Sequence, residues 1–389
     1  MVKRDIRNTT LLDFGESNLV RDGRVFNLAY VPEKFYIRKE MRTVANYITT
    51  FLKYSSPEHI YLSGKPGSGK TASIKYIQRE VEENKIKLDF HYISGRECNT
   101  RYKVMARICG YNRNVNPNKV YDEFYRRITD KTIVVLDEAD TLEPKDLNDI
   151  CFMFSRWGEA AEVPENSYVL LILVGCKAYP HLLRSLEPAV LSSLSAHNVF
   201  YGTYQKEELF EILRLRAEEG LYDGVWNDGL LEEIASACVK EYLGDTRHAI
   251  LALKELAAYS ERKRSSRIEG DIEKALEKAA ERVVVNTLSG LGTHELLVLY
   301  SACRVQEDDR QTGALRAVYE KACSHVELSP VKKSKFYEII NSLQRLSIIT
   351  ASESAKSTRQ ISIAPAIDEE IVTKYVENMF HVLRTAKLG

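Results

Sequence analysis

The chain has 389 residues, 44% hydrophobic and 28% charged, with 55 basic and 55 acidic side chains. This is the composition of a globular protein of two or three domains, and it excludes a fibrous or low-complexity chain. A net charge of zero excludes a global basic field for nucleic acid, so any such surface must be a local patch.

Residues 1–25 mix charges without sustained periodicity and carry no signal-peptide core, which predicts a mobile N-terminal arm. No apolar run is long enough to span a membrane. The seven cysteines, at 98, 109, 151, 176, 238, 303 and 323, show no close pairing. Free thiols in a reducing compartment follow, so the expectation is a cytosolic protein with no membrane partner.

From residue 26 to 204 strands and helices alternate. HIYLS (59–63), DFHYIS (89–94), TIVVLD (132–137), YVLLILVG (168–175) and HNVFY (197–201) read as strands. Helical patterns such as TASIKYIQREVEEN, YDEFYRRI and LNDICFMFSRW separate them. This alternation predicts an α/β domain, a mainly parallel sheet with helices on both faces. Residues 205–287 hold four amphipathic helices, with Gly220 and Gly244 placed to end two of them, and form a small all-helical domain. Residues 288–389 give three helices and two short β-like runs, IIT and QISIA, the pattern of a winged helix-turn-helix. Ser329-Pro330 stands where its third helix is expected to begin.

Ser63-Gly64-Lys65-Pro66-Gly67-Ser68-Gly69-Lys70-Thr71 fits G-x-x-x-x-G-K-[ST] between an apolar run and a helix. Glycines let successive backbone N–H groups face phosphate oxygens. Lys70 reaches the terminal phosphates and Thr71 offers a hydroxyl to Mg²⁺, with Ala72 following in the helix. In IVVLDEAD, Asp137 ends a strongly apolar run. A carboxylate there can hold a magnesium-bound water, and Glu138 is placed to polarise an attacking water. ATP or ADP with Mg²⁺ is the expected ligand, and Lys70, Asp137 and Glu138 are the expected catalytic set.

The Asp137–Glu138 pair on a strand after such a loop resembles the AAA+ ATPases, and NLAYVPEKFYIRKEM (27–41) resembles their origin-recognition and replication-initiator branch. There the resemblance implies an adenine pocket lined by Tyr30, Pro32 and Arg38. YISGRECNTRYKVMARI (92–108) resembles that branch's helical insertion. Its Arg101, Tyr102 and Lys103, with Arg96 and Arg107 nearby, are thereby implied in touching the DNA backbone. GDTRHAILAL (244–253) resembles the motif of the helical lid, which makes Arg247 a second sensor of the γ-phosphate. Two positions depart from the family pattern. Gly175-Cys176-Lys177 stands where a polar first sensor, often asparagine, is usual, and Ala189 stands where an arginine finger is usual, with Arg184 nearby. Such a finger contributes roughly 10³–10⁵ in rate. Its absence predicts a weak ATPase that holds ATP or ADP as a conformational switch.

Segment 329–360 carries six basic residues against two acidic ones, a net +4 in a neutral chain. Lys332, Lys333, Ser334 and Lys335 open the expected recognition helix, which can enter a major groove by that end. Lys356, Thr358 and Arg359 lie in the hairpin tip, able to reach phosphates or a minor groove. The resemblance implies a DNA replication initiator that binds origin duplex, works with other initiator protomers, helps recruit the replicative helicase and associates with the nucleoid. Two readings stay open beside it. One is a signalling-type ATPase whose winged helix binds protein, and the other an initiator-derived repressor or mobile-element helper ATPase.

Overall fold

The computed structural model describes residues 17–111, 115–128, 130–306, 311–346, 348–353, 361–365 and 368–386. They divide into two compact units, one holding residues 17–36 and 204–279, the other residues 37–203 and 280 onward.

The second unit contains five parallel strands: β1 (Ile60–Ser63), β2 (Asp89–Ser94), β3 (Lys131–Asp137), β4 (Tyr168–Val174) and β5 (His197–Phe200), in the order β2-β3-β4-β1-β5. The expected runs and the strands coincide to within a residue or two. β3 and β4 pair along their length, Ile133 opposite Leu170 and Val135 opposite Ile172, and are buried beyond their first residues. A continuous run of Val, Ile and Leu has no polar face, so it forms only where helices cover both sides of a sheet. Each such side chain contributes about 1.5–3 kcal/mol on burial, which places β3 and β4 at the centre and leaves β2, with one buried residue in six, at the edge.

Helices α1 (Lys39–Tyr54), α2 (Lys70–Glu83), α3 (Arg101–Ile108), α4 (Pro117–Arg127), α5 (Pro144–Ser155), α6 (Tyr179–Ser185) and α7 (Pro188–Leu194) complete this part of the unit. Phe124, Phe154 and Trp157 lock α4 and α5 together, with ring centroids 5.5–6.2 Å apart.

The other unit is built on α8 (Lys206–Gly220), α9 (Asp228–Tyr242), α10 (Thr246–Lys263) and the first part of α11 (Ile272–Ser289). Local chemistry starts each of the first three. Glu208 accepts from Gln205 N at 2.9 Å in a capping box, Asn227 accepts from Leu230 N at 2.9 Å, and Asp245 accepts from Arg247 N at 2.9 Å. Gly244 (φ +72°) follows α9 in the left-handed region, as expected of a terminator. Gly220 has another reason: a Cβ there would lie 2.2 Å from Val25 Cγ2.

Of the expected mobile arm over 1–25, residues 1–16 lie outside the described residues. Residues 17–25 are not free of the fold: Leu19 and Val25 are buried, Arg21 N and Asp22 N donate to Gly220 O, and Val20 bridges Leu221. A polar, aperiodic stretch reads as disorder, but two apolar side chains and backbone pairing to one helix end suffice to order it.

After α11 come α12 (Thr293–Arg304), α13 (Thr312–His325), α14 (Lys333–Arg345), an antiparallel hairpin of β6 (Ile349–Glu353) and β7 (Ile361–Pro365), and α15 (Glu369–Ala386). This is the expected winged helix-turn-helix with a further helix, α15, whose Val372 and Val376 are buried in the same core. The third helix begins at Lys333 and not at Pro330. Val331 N donates to Tyr319 Oη at 3.0 Å, and Arg316 Nη2 donates to Val331 O at 3.4 Å, so the residues after Pro330 are held on α13 before the turn can start. Among the described residues no helix is long and apolar enough to cross a membrane.

Candidate functional site

Three neighbouring strands, β3, β4 and β1, deliver their carboxyl ends to one edge of the sheet, the usual ligand edge of an open α/β fold. β1 leads into the loop Gly64–Gly69, with Gly64, Gly67 and Gly69 at φ +147°, +75° and +86°. A Cβ on Gly64 would meet Tyr201 O at 2.3 Å, so both conformation and space demand glycine. α2 then begins at Lys70 with no side-chain cap, leaving its first amides turned toward the loop. Lys70 is only 7% exposed. Its Nζ donates to Gly64 O at 2.6 Å, Lys65 O at 2.9 Å and Ser68 Oγ at 3.4 Å. The loop is thus curled around its own cation.

Thr71 Oγ1 donates to Asp137 Oδ2 at 2.7 Å, which joins the two sequence motifs directly. A hydroxyl and a carboxylate within hydrogen-bond reach form a hard-oxygen donor set that suits magnesium. Tyr92 donates its hydroxyl to the same carboxylate oxygen at 2.5 Å, and Glu138 N donates to the other at 2.8 Å. Tyr92 is absent from the expected set. It arrives because β2 and β3 pair in register, Ser94 opposite Asp137, a relation no local motif encodes.

Glu138 takes a left-handed backbone (φ 55°), uncommon for a non-glycine residue and concentrated at functional sites. Its Oε1 pairs with Arg96 Nε at 2.7 Å, and its Oε2 accepts from Ser94 Oγ at 3.3 Å. Burial raises its pKa above the ordinary carboxylate range; Arg96 pulls the other way, and Asp137 adds to the rise.

Cys176, which the resemblance sets at the first-sensor place, has its Sγ 4.0 Å from Lys70 Nζ. Buried Asp140 fixes this turn by accepting from Cys176 N at 2.7 Å and Lys177 N at 3.1 Å. Arg38 lies beneath the loop. Its Nη1 donates to Ser68 O at 2.8 Å and Gly202 O at 3.2 Å, and its Nε pairs with Glu40 at 2.9 Å. Ala189 and Arg184 are both exposed, on α7 and α6.

Tyr30, Pro32 and Arg247 belong to the other unit. Tyr30 is half-buried and Pro32 buried. Arg247 forms a bidentate pair with Asp245, Nη2 to Oδ2 at 2.6 Å and Nε to Oδ1 at 3.0 Å. Burial alone would raise the Asp245 pKa, but His248 and Arg247 outweigh it and hold the carboxyl at about 2.

In the insertion, Thr100 caps α3 through Lys103 N. Arg101 stacks on Tyr121 at 5.3 Å, Lys103 reaches Asn99 at 2.8 Å and Arg107 pairs with Glu97 at 3.2 Å. Tyr102 is turned inward. Its hydroxyl donates to Val115 O at 2.5 Å and accepts from Val115 N at 3.0 Å, so it ties α3 to the segment before α4. Lys332, Lys333, Ser334 and Lys335 are all exposed at the N-terminal end of α14, and Lys335 pairs with Glu338 at 2.8 Å. Lys356, Thr358 and Arg359 lie outside the described residues.

Three family models match successive parts of the chain. They are the ATPase family associated with various cellular activities over residues 60–167, the Cdc6 AAA+ ATPase-type lid domain over 210–277, and the Cdc6 C-terminal winged helix domain over 286–375. The chain is 27% identical to ORC1-type DNA replication protein 1 of Archaeoglobus fulgidus, covering 95% of this chain and 94% of that one. It is 28% identical to the ORC1-type DNA replication protein of Pyrococcus furiosus, covering 85% and 83%. Its fold matches the Aeropyrum pernix ORC1 protein solved in complex with DNA, with a TM-score of 0.70 at 24% identity over 95% of this chain and all of that one. It also matches Cdc6p from Pyrobaculum aerophilum, with a TM-score of 0.57 at 22% identity over 93% of this chain. Phosphate loop, lid and winged helix occur in one order along one chain, matched by an AAA ATPase model and two Cdc6 domain models, and the chain is similar over most of its length to archaeal ORC1-type DNA replication proteins.

Proposed function

We propose that the protein is a replication initiator that binds origin duplex DNA and uses ATP and ADP as a conformational switch. The observation that carries this reading is the joining of Lys70, Thr71 and Asp137 at one sheet edge in a chain that ends in a Cdc6-type winged helix. The functional division follows the motifs: a nucleotide-binding core over 26–204, a lid over 205–287 and a DNA-binding winged helix over 288–389.

In this reading the loop amides and Lys70 grip the phosphates. Thr71 and Asp137 would hold Mg²⁺, which would supply positive charge to offset that of the phosphates. Glu138 takes a proton from the attacking water, and Arg247 exchanges Asp245 for the γ-phosphate. Tyr30 and Pro32 line the base, while Arg38 braces the phosphate loop from below. Cys176 at the first-sensor place and Ala189 at the finger place support slow turnover, so each bound state persists long enough to bias a hinge. Lys332, Lys333 and Lys335 contact duplex phosphates or major-groove edges, with Arg101, Lys103 and the wing residues Lys356, Thr358 and Arg359 as further contacts. The resemblance to replication initiators also implies assembly with other protomers and recruitment of the replicative helicase.

Fluorescence anisotropy tests this reading, with duplexes tiled across DNA near replication genes and the protein loaded with ATP, with ADP, or stripped. Site-selective binding with a steep salt slope, weakened by Lys333→Glu, is the expected result. Binding no tighter than to random duplex in all three states would remove the initiator reading in favour of a winged helix that contacts protein.

A further inference from the structure

We infer that Arg216 and Glu219, on the last turns of α8, are positioning residues for recognition of the nucleotide base. The inference deepens the reading that Tyr30 and Pro32 line that base.

Glu219 uses both carboxylate oxygens on one short segment. Oε1 accepts from the Tyr30 hydroxyl, and Oε2 accepts from Glu33 N at 3.0 Å. The bracket therefore closes around Tyr30-Val31-Pro32-Glu33, the tyrosine-x-proline segment itself. Arg216 holds the same stretch from beneath. Its Nη1 donates to Val25 O and its Nη2 donates to Tyr30 O at 3.0 Å. It is 7% exposed, and its Nε is buried with no hydrogen-bond partner among the described residues. A buried guanidinium that donates to backbone carbonyls fixes backbone geometry, since carbonyls on a mobile strand would leave it uncompensated. Arg24 adds a cation 5.5 Å from the Tyr30 ring centroid.

The hydroxyl and the backbone of Tyr30 are thus set by α8 and its ring faces Arg24, within one compact unit that also carries Arg247. A ring held in one orientation is pre-organised for a planar partner. Pre-organisation of one side chain is worth roughly two- to ten-fold in affinity. Lys70 and Thr71 belong to the other unit.

The test titrates full-length, nucleotide-stripped protein with ATP, GTP and inorganic tripolyphosphate in Mg²⁺, following heat of binding. The variants are Tyr30→Phe, Glu219→Gln, Arg216→Met and Arg216→Lys. Tyr30→Phe and Glu219→Gln are expected to weaken ATP roughly two- to ten-fold, to compress the ATP-to-GTP ratio and to leave tripolyphosphate unchanged. Arg216→Met is expected to do the same more strongly, with partial recovery in Arg216→Lys; if the methionine variant does not fold, the first two variants carry the test. Parallel loss of ATP and tripolyphosphate, or no change in any ligand, overturns the positioning role. A wild-type protein that prefers ATP neither to GTP nor to tripolyphosphate overturns the base-pocket reading itself, and this inference with it.

Discussion

The phosphate loop and the start of α14 both carry lysines, and they hold them in opposite ways. Lys70 is buried and held by three acceptors before any ligand arrives. Lys332, Lys333 and Lys335 stand in solvent, and Lys335 forms a surface pair with Glu338. A ligand of fixed shape rewards a cation fixed in advance, because rotamer entropy is lost on folding and not on binding. A polyelectrolyte rewards many solvated cations, because the gain comes from released counterions. Substitutions should therefore act all-or-none in the loop and by increments at the helix.

The largest effect is expected at Lys70. Charge-assisted hydrogen bonds are worth about 1.5–3 kcal/mol each, so losing the cation at two phosphate groups should weaken ATP at least ~100-fold. Lys70→Ala measured by calorimetry checks this. A loss under tenfold would mean the loop amides alone hold the phosphates, and the contrast with α14 would fade.

Next is Glu138→Gln, which should keep nucleotide affinity and lower single-turnover hydrolysis by about 10²–10⁴. The pH profile carries further information. Glu138 must be ionised to accept a proton, and burial raises its pKa while Arg96 opposes the rise. The rate should climb with pH through a pKa above the ordinary carboxylate range. Arg96→Gln removes the opposing cation, so the acid limb should move to higher pH. A limb that stays in place would mean Arg96 does not face Glu138 during turnover.

At α14 the effects should be smaller and visible in the salt slope. Each lost phosphate contact lowers the slope of log K against log salt by about 0.9. Lys333→Ala should do this, and Lys335→Ala should do less, because Glu338 already neutralises part of that charge. Equal changes for both would show that the ion pair opens freely when duplex binds.

The same contrast explains what was legible in the sequence. The loop could be read because its geometry is local: glycines at fixed spacing, a strand before and a helix after. β3 and β4 could be read because an unbroken apolar run has one solution. Tyr92 and Arg96 could not, since they reach Asp137 and Glu138 only through the register of two strands. The bracket by Arg216 and Glu219 spans more than 180 residues of chain and leaves no periodic trace. The resemblance implies Arg38 in the base pocket but carries no trace of its hydrogen bonds to Ser68 O and Gly202 O, the second of them 164 residues away. Tyr102 shows the converse: a residue named for DNA spends its hydroxyl on Val115.

The insertion gives the smallest and sharpest effect. Like Lys335 of α14, its cations have partners: Arg107 has Glu97 at 3.2 Å and Arg101 has the Tyr121 face. For Arg107 to meet a phosphate it must leave Glu97. An exposed pair is worth about 0.2–1 kcal/mol, so its competition should cost DNA affinity no more than a few-fold. Arg107→Ala should then lower the salt slope by less than Lys333→Ala does. Glu97→Gln, which adds no cation, should tighten duplex binding up to about fivefold by releasing Arg107. If Glu97→Gln leaves affinity unchanged and Arg107→Ala leaves the slope unchanged, the insertion is a solvated face that touches no DNA. The winged helix would then hold the duplex without it.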